Sequence, residues 1–357
     1  MTIPTEPIGS IPRPLQLIEA VTASGGGSSG SNPKLNSLYE EAIKDTIERF
    51  EATGSPVITD GEQRKYHNFW TYAVNGLPNT APDGFRIPFA AGHVRRMLRL
   101  TAGPFHYNVY ADQYLDVAMR YAHTPVKQAV ISPSALSLMY PAEGIPGYSR
   151  EEFIQDLLRE HETEVRRCLQ KGAHKVQIDF TEGRLAVKLD PFGNLLSSFI
   201  DLNNLALSRF SLEERRRIGV HTCPGSDRDS THSGDVDYAE LLPSLFGLKV
   251  GNFYIALAGE PDRVRVLRII QRYIKPDQRI FIGVVAPIDS RIEDPAEIRD
   301  RILEAADYIP IEQLGATDDC GFSPFSDDTS TSRDTACAKI RARVLGTALA
   351  AEIIGGH

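Results

Sequence analysis

Along most of the chain, short apolar runs alternate with longer stretches whose apolar residues recur at every third or fourth position. The short runs, at 7–10, 57–60, 127–131, 175–179, 218–222, 253–258, 280–285 and 312–316, predict strands. Most are largely apolar runs of four to six residues, the pattern of parallel strands covered on both faces. The longer stretches predict helices. The clearest covers 151–171, where Phe153, Leu157, Leu158, His161, Val165 and Leu169 keep helical spacing and Gly172 follows as a stop. Two more cover 261–274 and 295–306. Eight strands with helices between them predict an α/β fold, a single (β/α)8 TIM barrel spanning 1–357 as one domain. The segment at about 85–105, rich in β-formers and arginine, predicts a β-hairpin inserted between strands 2 and 3. The run 24–31, composed only of Gly and Ser, predicts a flexible loop.

Composition narrows the class. The 41% hydrophobic content suffices for a large core, and 39 Lys+Arg against 47 Asp+Glu leave a net charge of -8. That balance argues against nucleic-acid binding, which needs a basic surplus. No apolar run approaches the ~20 residues of a membrane span, and the first residues carry no apolar signal core. Four cysteines in 357 residues do not make a disulfide framework. The expectation is a soluble, cytoplasmic protein with a small-molecule substrate; a homo-oligomer is left open.

In a TIM barrel the active site lies at the C-terminal ends of the strands. Those ends carry Ser10, Asp60 and Glu62, Ser132 and Ser134, Asp179, His221 and Cys223, Glu260, and the run Asp318, Asp319, Cys320. Nearly every predicted strand thus ends in a group that can bind a metal, accept a proton or hold an ammonium. His221 and Cys223 are two residues apart, so on an extended strand both point to one side. With Cys320 at another strand end they form a thiolate–imidazole set that favours Zn2+. Cys168 and Cys337 fall within helical patterns and read as ordinary buried thiols.

The motifs 7–14 (PIGSIPRP), 59–63 (TDGEQ), 176–179 (VQID), 220–223 (VHTC) and 318–321 (DDCG) stand in the order found in the cobalamin-independent methionine synthase family, whose C-terminal catalytic barrel this chain resembles. The resemblance implies a zinc-dependent methyltransferase. Its metal binds the homocysteine thiol as a thiolate, which takes a methyl group to give methionine. Carried over by position, His221, Cys223 and Cys320 match zinc ligands; Ile8, Gly9 and Ser10 match a clamp on the amino-acid carboxylate; Glu62 and Asp179 match carboxylates that hold its ammonium. The family's fourth ligand, a glutamate ending strand six, meets Leu257 here, and Glu260 reaches the ion only if the strand bends at Gly259. The family's proton-delivering histidine meets Ile288 or Asp289, and its folate-stacking tryptophan has no counterpart near 131–139. The methyl donor therefore stays open between a methyl-folate and a corrinoid-bound methyl. Alkyl transfer to another thiol, as in the coenzyme M alkyltransferases of this superfamily, is the alternative, with a lyase or hydrolase behind it.

Smaller signals remain. Arg95, Arg96 and Arg99 suggest either an anion clamp or a solvated face. Glu182 and Arg184 suggest substrate contact or mutual pairing, His232 a general acid or a loop residue, and Tyr66, His67 and Trp70 a donor wall or plain packing.

Overall fold

The computed structural model describes residues 2–24, 32–65, 71–89, 92, 94–222, 224–225 and 232–356. Six strands make one parallel sheet in chain order: Gln128–Ile131, Val176–Asp179, Ile218–Thr222, Asn252–Ile255, Arg279–Val285 and Leu314–Asp318. Nearly all their residues are buried, so both faces are covered and the runs have no polar side to alternate with.

At the sheet's two edges a further segment attaches by a single parallel bridge, Thr5 to Ala316 and Ile58 to Val126. The runs at 7–10 and 57–60 are therefore not the full strands the apolar pattern predicts. Pro7, Pro12 and Pro14 have no N–H to offer a ladder. The two segments instead meet through Thr59 Oγ1, which donates to Gly9 O at 2.7 Å, and Ile11 N, which donates to Gly61 O at 3.0 Å.

The helix Arg150–Gln170 starts at a capping box. Ser149 Oγ accepts from Glu152 N and the Glu152 carboxylate accepts from Ser149 N, an arrangement worth about 1 kcal/mol. It buries the face read from its spacing: Phe153, Leu157, Leu158, His161, Val165 and Leu169. The helices Arg263–Tyr273 and Pro295–Ala306 also lie where the periodicity puts them. Two antiparallel ladders, Thr80–Ala81 with Arg99–Leu100 and Arg86–Pro88 with Val94–Arg96, stand apart from the main sheet. Met97, Leu100 and Phe105 from this region share an apolar cluster with Ile131, Leu136, Met139 and Phe153. Among the described residues no helix is long and apolar enough to cross a membrane.

Near the N-terminal ends of the strands, buried Glu6 accepts from Tyr254 Oη at 2.6 Å and from Lys175, with His174 Nε2 at 3.3 Å. Burial alone pushes its carboxyl up. The His174 hydrogen bond and the Lys175 and Lys127 ammoniums outweigh that and hold it well below the usual carboxylate range.

His161 is a contrasting case. Among the described residues its ring nitrogens have no hydrogen-bond partner, and burial pushes the imidazole from its ordinary 6.5 down to about 4. Folded, it binds its proton more weakly than unfolded, so protons favour the unfolded chain as the pH falls through this window. Its contribution should cost stability on the order of 3 kcal/mol by about pH 4. Urea unfolding of His161→Leu should lose less stability than wild type between pH 6.5 and 4. Parallel losses in the two proteins would contradict this assignment.

Candidate active site

The strand ends gather around one chamber of about 780 Å³, lined among others by Ile8, Ser10, Glu62, Lys65, Asp179, Glu182, His221, His232 and Cys320. Asp179 and His221 are register partners on adjacent strands, so their side chains enter the chamber side by side. Burial pushes the Asp179 carboxyl up, against the opposing pull of the His221 and Lys65 charges and the Gln177 hydrogen bond. That bond runs from Gln177 Nε2 to Asp179 Oδ1 at 2.8 Å.

The segment 8–10 is locked in place. Phe322 N donates to Ser10 O at 2.9 Å and Ser323 N to Ser10 Oγ at 3.2 Å, which leaves the Ser10 hydroxyl proton to be donated. A Cβ on Gly321 would lie 2.0 Å from Ser10 Oγ, and one on Gly9 would lie 2.9 Å from Glu62 Oε1. Both positions therefore need glycine for close approach. Glu62 has a φ of 55°, a left-handed conformation uncommon for a non-glycine residue, held by Asp60 Oδ1 accepting from Glu62 N at 2.7 Å. Buried Arg13 donates to the carbonyls of Glu62 at 2.8 Å, Gln63 at 3.2 Å and Phe325 at 2.7 Å, tying three site segments together.

For a metal, the informative atoms are on His221. The residue is 2% exposed and neither ring nitrogen finds a hydrogen-bond partner among the described residues. Leaving such groups unpaired costs about 1–3 kcal/mol each. His161 is orphaned in the same way inside the helix Arg150–Gln170; His221 shares the chamber with buried Cys320 and with Asp179. An imidazole and a thiol are donors that zinc accepts, but among the described residues no group of three His, Cys, Asp or Glu is gathered closely enough to hold an ion. Cys223, the third expected ligand, lies outside the described residues, as do Tyr66, His67 and Trp70.

Glu260 does not join them. It lines a neighbouring cleft, where Arg184 Nη1 pairs with it at 3.3 Å. The chain does turn at Ala258 and Gly259, with Glu260 N donating to Leu257 O at 3.2 Å, but the turn sends Glu260 to Arg184. The Asp319 carboxylate, accepting from Leu257 N, Ala258 N and Gly259 N, each at 2.8 Å, pins that strand end. Leu257 is buried in the core.

Arg184 thus pairs with Glu260 rather than Glu182. Glu182 Oε1 accepts from Ser132 Oγ at 2.5 Å and from Ser134 Oγ, which itself accepts from Asn203 Nδ2 at 2.8 Å. Burial raises the Glu182 carboxyl to about 7 despite these two hydroxyls. His232 also faces the chamber, its ring 6.2 Å from Phe89, and burial pushes it down to about 4.

The hairpin closes the chamber with Phe85, Ile87, Phe89 and Met97. Two of its arginines are committed elsewhere, Arg95 to Asp327 and Arg99 to Asp83, so they form no anion clamp. Lys65 is the site residue that sequence reasoning missed. A lysine three positions after Glu62 in a polar turn reads as solvent-facing, yet it is 2% exposed and pairs with Glu62. Burial pushes its ammonium down to about 7, with Asp179 and Asp60 pulling the other way.

The family model described as "Cobalamin-independent synthase, Catalytic domain" matches residues 3–337. A methionine synthase of Sulfurisphaera tokodaii is 23% identical, over 89% of this chain and 86% of its own length. The structure of a B12-independent methionine synthase from a Shewanella species, in complex with selenomethionine, superposes with a TM-score of 0.74 at 16% identity, covering 100% of both chains. A putative B12-independent methionine synthase from Listeria monocytogenes gives 0.71 at 21% identity, over 98% of this chain and 99% of that one. The chain belongs to the cobalamin-independent synthase catalytic-domain family.

Proposed function

We propose that this chain is a zinc-dependent thiol methyltransferase acting in the cytoplasm as one (β/α)8 barrel domain, with the hairpin as an insertion between its second and third strands. Barrel closure is supported by the two edge bridges and by the 59–61 to 9–11 hydrogen bonds, which link the sheet's two edges. The observation that carries the functional reading is the convergence of Ser10, Glu62, Asp179, His221 and Cys320, from five separate segments, on one chamber.

His221, Cys223 and Cys320 are the residues that would hold zinc. When bound, the ion lowers a thiol's pKa and presents it as a thiolate nucleophile. The protein's own groups do the rest. Ser10 Oγ has a proton to give to an acceptor's acid group, and the 8–10 segment is too tightly fixed to shift away from it. Asp179, next to His221 in the register, supplies negative charge at the polar end. The hairpin's apolar side chains exclude water from the opposite wall. Glu182 Oε2 has no partner among the described residues; with its carboxyl near 7, it can hold or give a proton to a departing donor at neutral pH. A methyl-folate and a corrinoid-bound methyl are the donor classes to test.

Family membership makes homocysteine the first acceptor to try. Titrating thiols into the zinc-loaded protein should release about one proton per thiol bound, followed by methylation of the thiol when a competent donor is added. Proton-neutral binding of every thiol, together with turnover of an ester or amide, would favour the hydrolase alternative.

A further inference from the structure

One buried ammonium behind the chamber wall reaches towards both ends of the expected acceptor seat. Lys127 Nζ donates to Pro7 O, the carbonyl just before the 8–10 segment, and to Gln177 Oε1 at 2.7 Å. Gln177 Nε2 in turn donates to Asp179 Oδ1 at 2.8 Å. Gln177 and Asp179 stand two residues apart on the strand Val176–Asp179, so both point to one face of the sheet. An ammonium has only donors and a carboxylate only acceptors, so the amide between them has one orientation, Oε1 to Lys127 and Nε2 to Asp179. Lys127 and Gln177 are fully buried and neither belongs to the chamber lining. The Glu6 carboxylate, 4.0 Å from Lys127 Nζ, and the Tyr254 ring, its centroid 4.0 Å away, compensate the cation in the interior.

We propose that Lys127 and Gln177 are positioning residues for the acceptor. Gln177 presents Asp179 to its amino group, and Lys127 holds that carboxylate at a set distance from the 8–10 segment that receives its acid. The inference rests on the thiol-transfer reading and extends it to residues that no ligand touches. In an amino-acid thiol the acid and the amine sit on one carbon. The groups that receive them must therefore keep one spacing while the sulfur reaches its own partner. Pro7 and Gln177 lie 120 and 50 positions from Lys127 in the chain, and a single Nζ joins them. Without Gln177, Asp179 keeps its place on the strand but loses the donor that orients its carboxylate, while Pro7 keeps its anchor. Without Lys127, both ends lose theirs.

The test is calorimetric titration of zinc-loaded protein with homocysteine and with 4-mercaptobutanoate, the same thiol acid without the amino group. Gln177→Leu should weaken homocysteine at least about 10-fold and 4-mercaptobutanoate by less than about 3-fold, since one charge-assisted hydrogen bond is lost at the amino end alone. Lys127→Met should weaken both thiols by about 5-fold or more. Equal losses of the two thiols in Gln177→Leu would mark a merely structural role and overturn the inference, as would unchanged homocysteine binding. Undiminished 4-mercaptobutanoate binding by Lys127→Met overturns the link to the acid end. If Lys127→Met does not fold, Gln177→Leu decides alone. If wild type takes homocysteine only, Gln177→Leu must still lose about 10-fold in affinity at unchanged zinc content, and retained affinity overturns the inference. These outcomes leave the thiol-transfer reading standing. Wild type that binds neither thiol would overturn that reading, and this inference with it.

Discussion

On the proposed reading wild type should hold about one zinc per chain, and Cys320→Ser protein is expected to retain only a small fraction of that. Replacing the outer-shell partners of a metal ligand typically costs about 10–100-fold in affinity, and removing a thiolate ligand should cost more. Cys320 is placed for this role by the strand Leu314–Asp318, which ends two residues before it, and by Asp319, whose carboxylate is fastened to three backbone N–H groups of the neighbouring strand end. Cys223→Ser should behave in the same way, and His221→Ala should leave the chamber without its imidazole. Cys337→Ser is the control: Cys337 sits in the helix Arg333–Gly355, away from the chamber lining, and should keep its metal. Metal analysis after dialysis against a weak chelator checks all four. Full zinc in Cys320→Ser would remove Cys320 from the ligand set.

The second large effect is on stability. Arg343 is fully buried; its Nη1 donates to Asp318 Oδ2 at 2.5 Å and to Glu6 O at 3.1 Å, with Nη2 3.4 Å from Ser55 Oγ. The guanidinium thereby ties the C-terminal helix to the last strand and to both N-terminal segments. Arg343→Met would leave Asp318 buried without its countercharge, which should cost about 3–5 kcal/mol in urea unfolding. Burial already pushes the Asp318 carboxyl up, with Arg343 as the leading opposing charge, so in the variant it should fold protonated. The double variant Arg343→Met with Asp318→Leu should recover much of the loss, because a matched apolar pair replaces a broken ionic one. A single-variant cost below about 1 kcal/mol would show that the pair carries little of the fold's stability.

Much of this was legible in the sequence wherever burial is uniform. The strand Ile218–Thr222 and the helix Pro295–Ala306 lie within the bounds that their apolar runs predict, since a run covered on both faces has no competing signal. The chamber was legible too, because polar residues at the ends of buried strands are out of place unless they are used: Ser10, Glu62, Asp179, His221 and Cys320 all line it. The N-terminal strands were less legible, since prolines removed the donors a ladder needs and the segments found side-chain and single backbone bonds instead. Glu260 was drawn towards the metal by its position after Gly259. The decisive contact, Asp319 capping that strand end, joins residues sixty positions apart and leaves no local trace. Lys65 went unseen because an i,i+3 ion pair in a polar turn has the same sequence whether it faces water or a chamber.

The central claim is that the chamber receives a thiol at a metal held by His221, Cys223 and Cys320. X-ray absorption at the zinc edge, with and without 4-mercaptobutanoate and homocysteine, tests it most directly. The account predicts that the bound thiol adds one sulfur neighbour at about 2.3 Å. A zinc shell unchanged by every thiol, in a protein that holds its metal stoichiometrically, would contradict it.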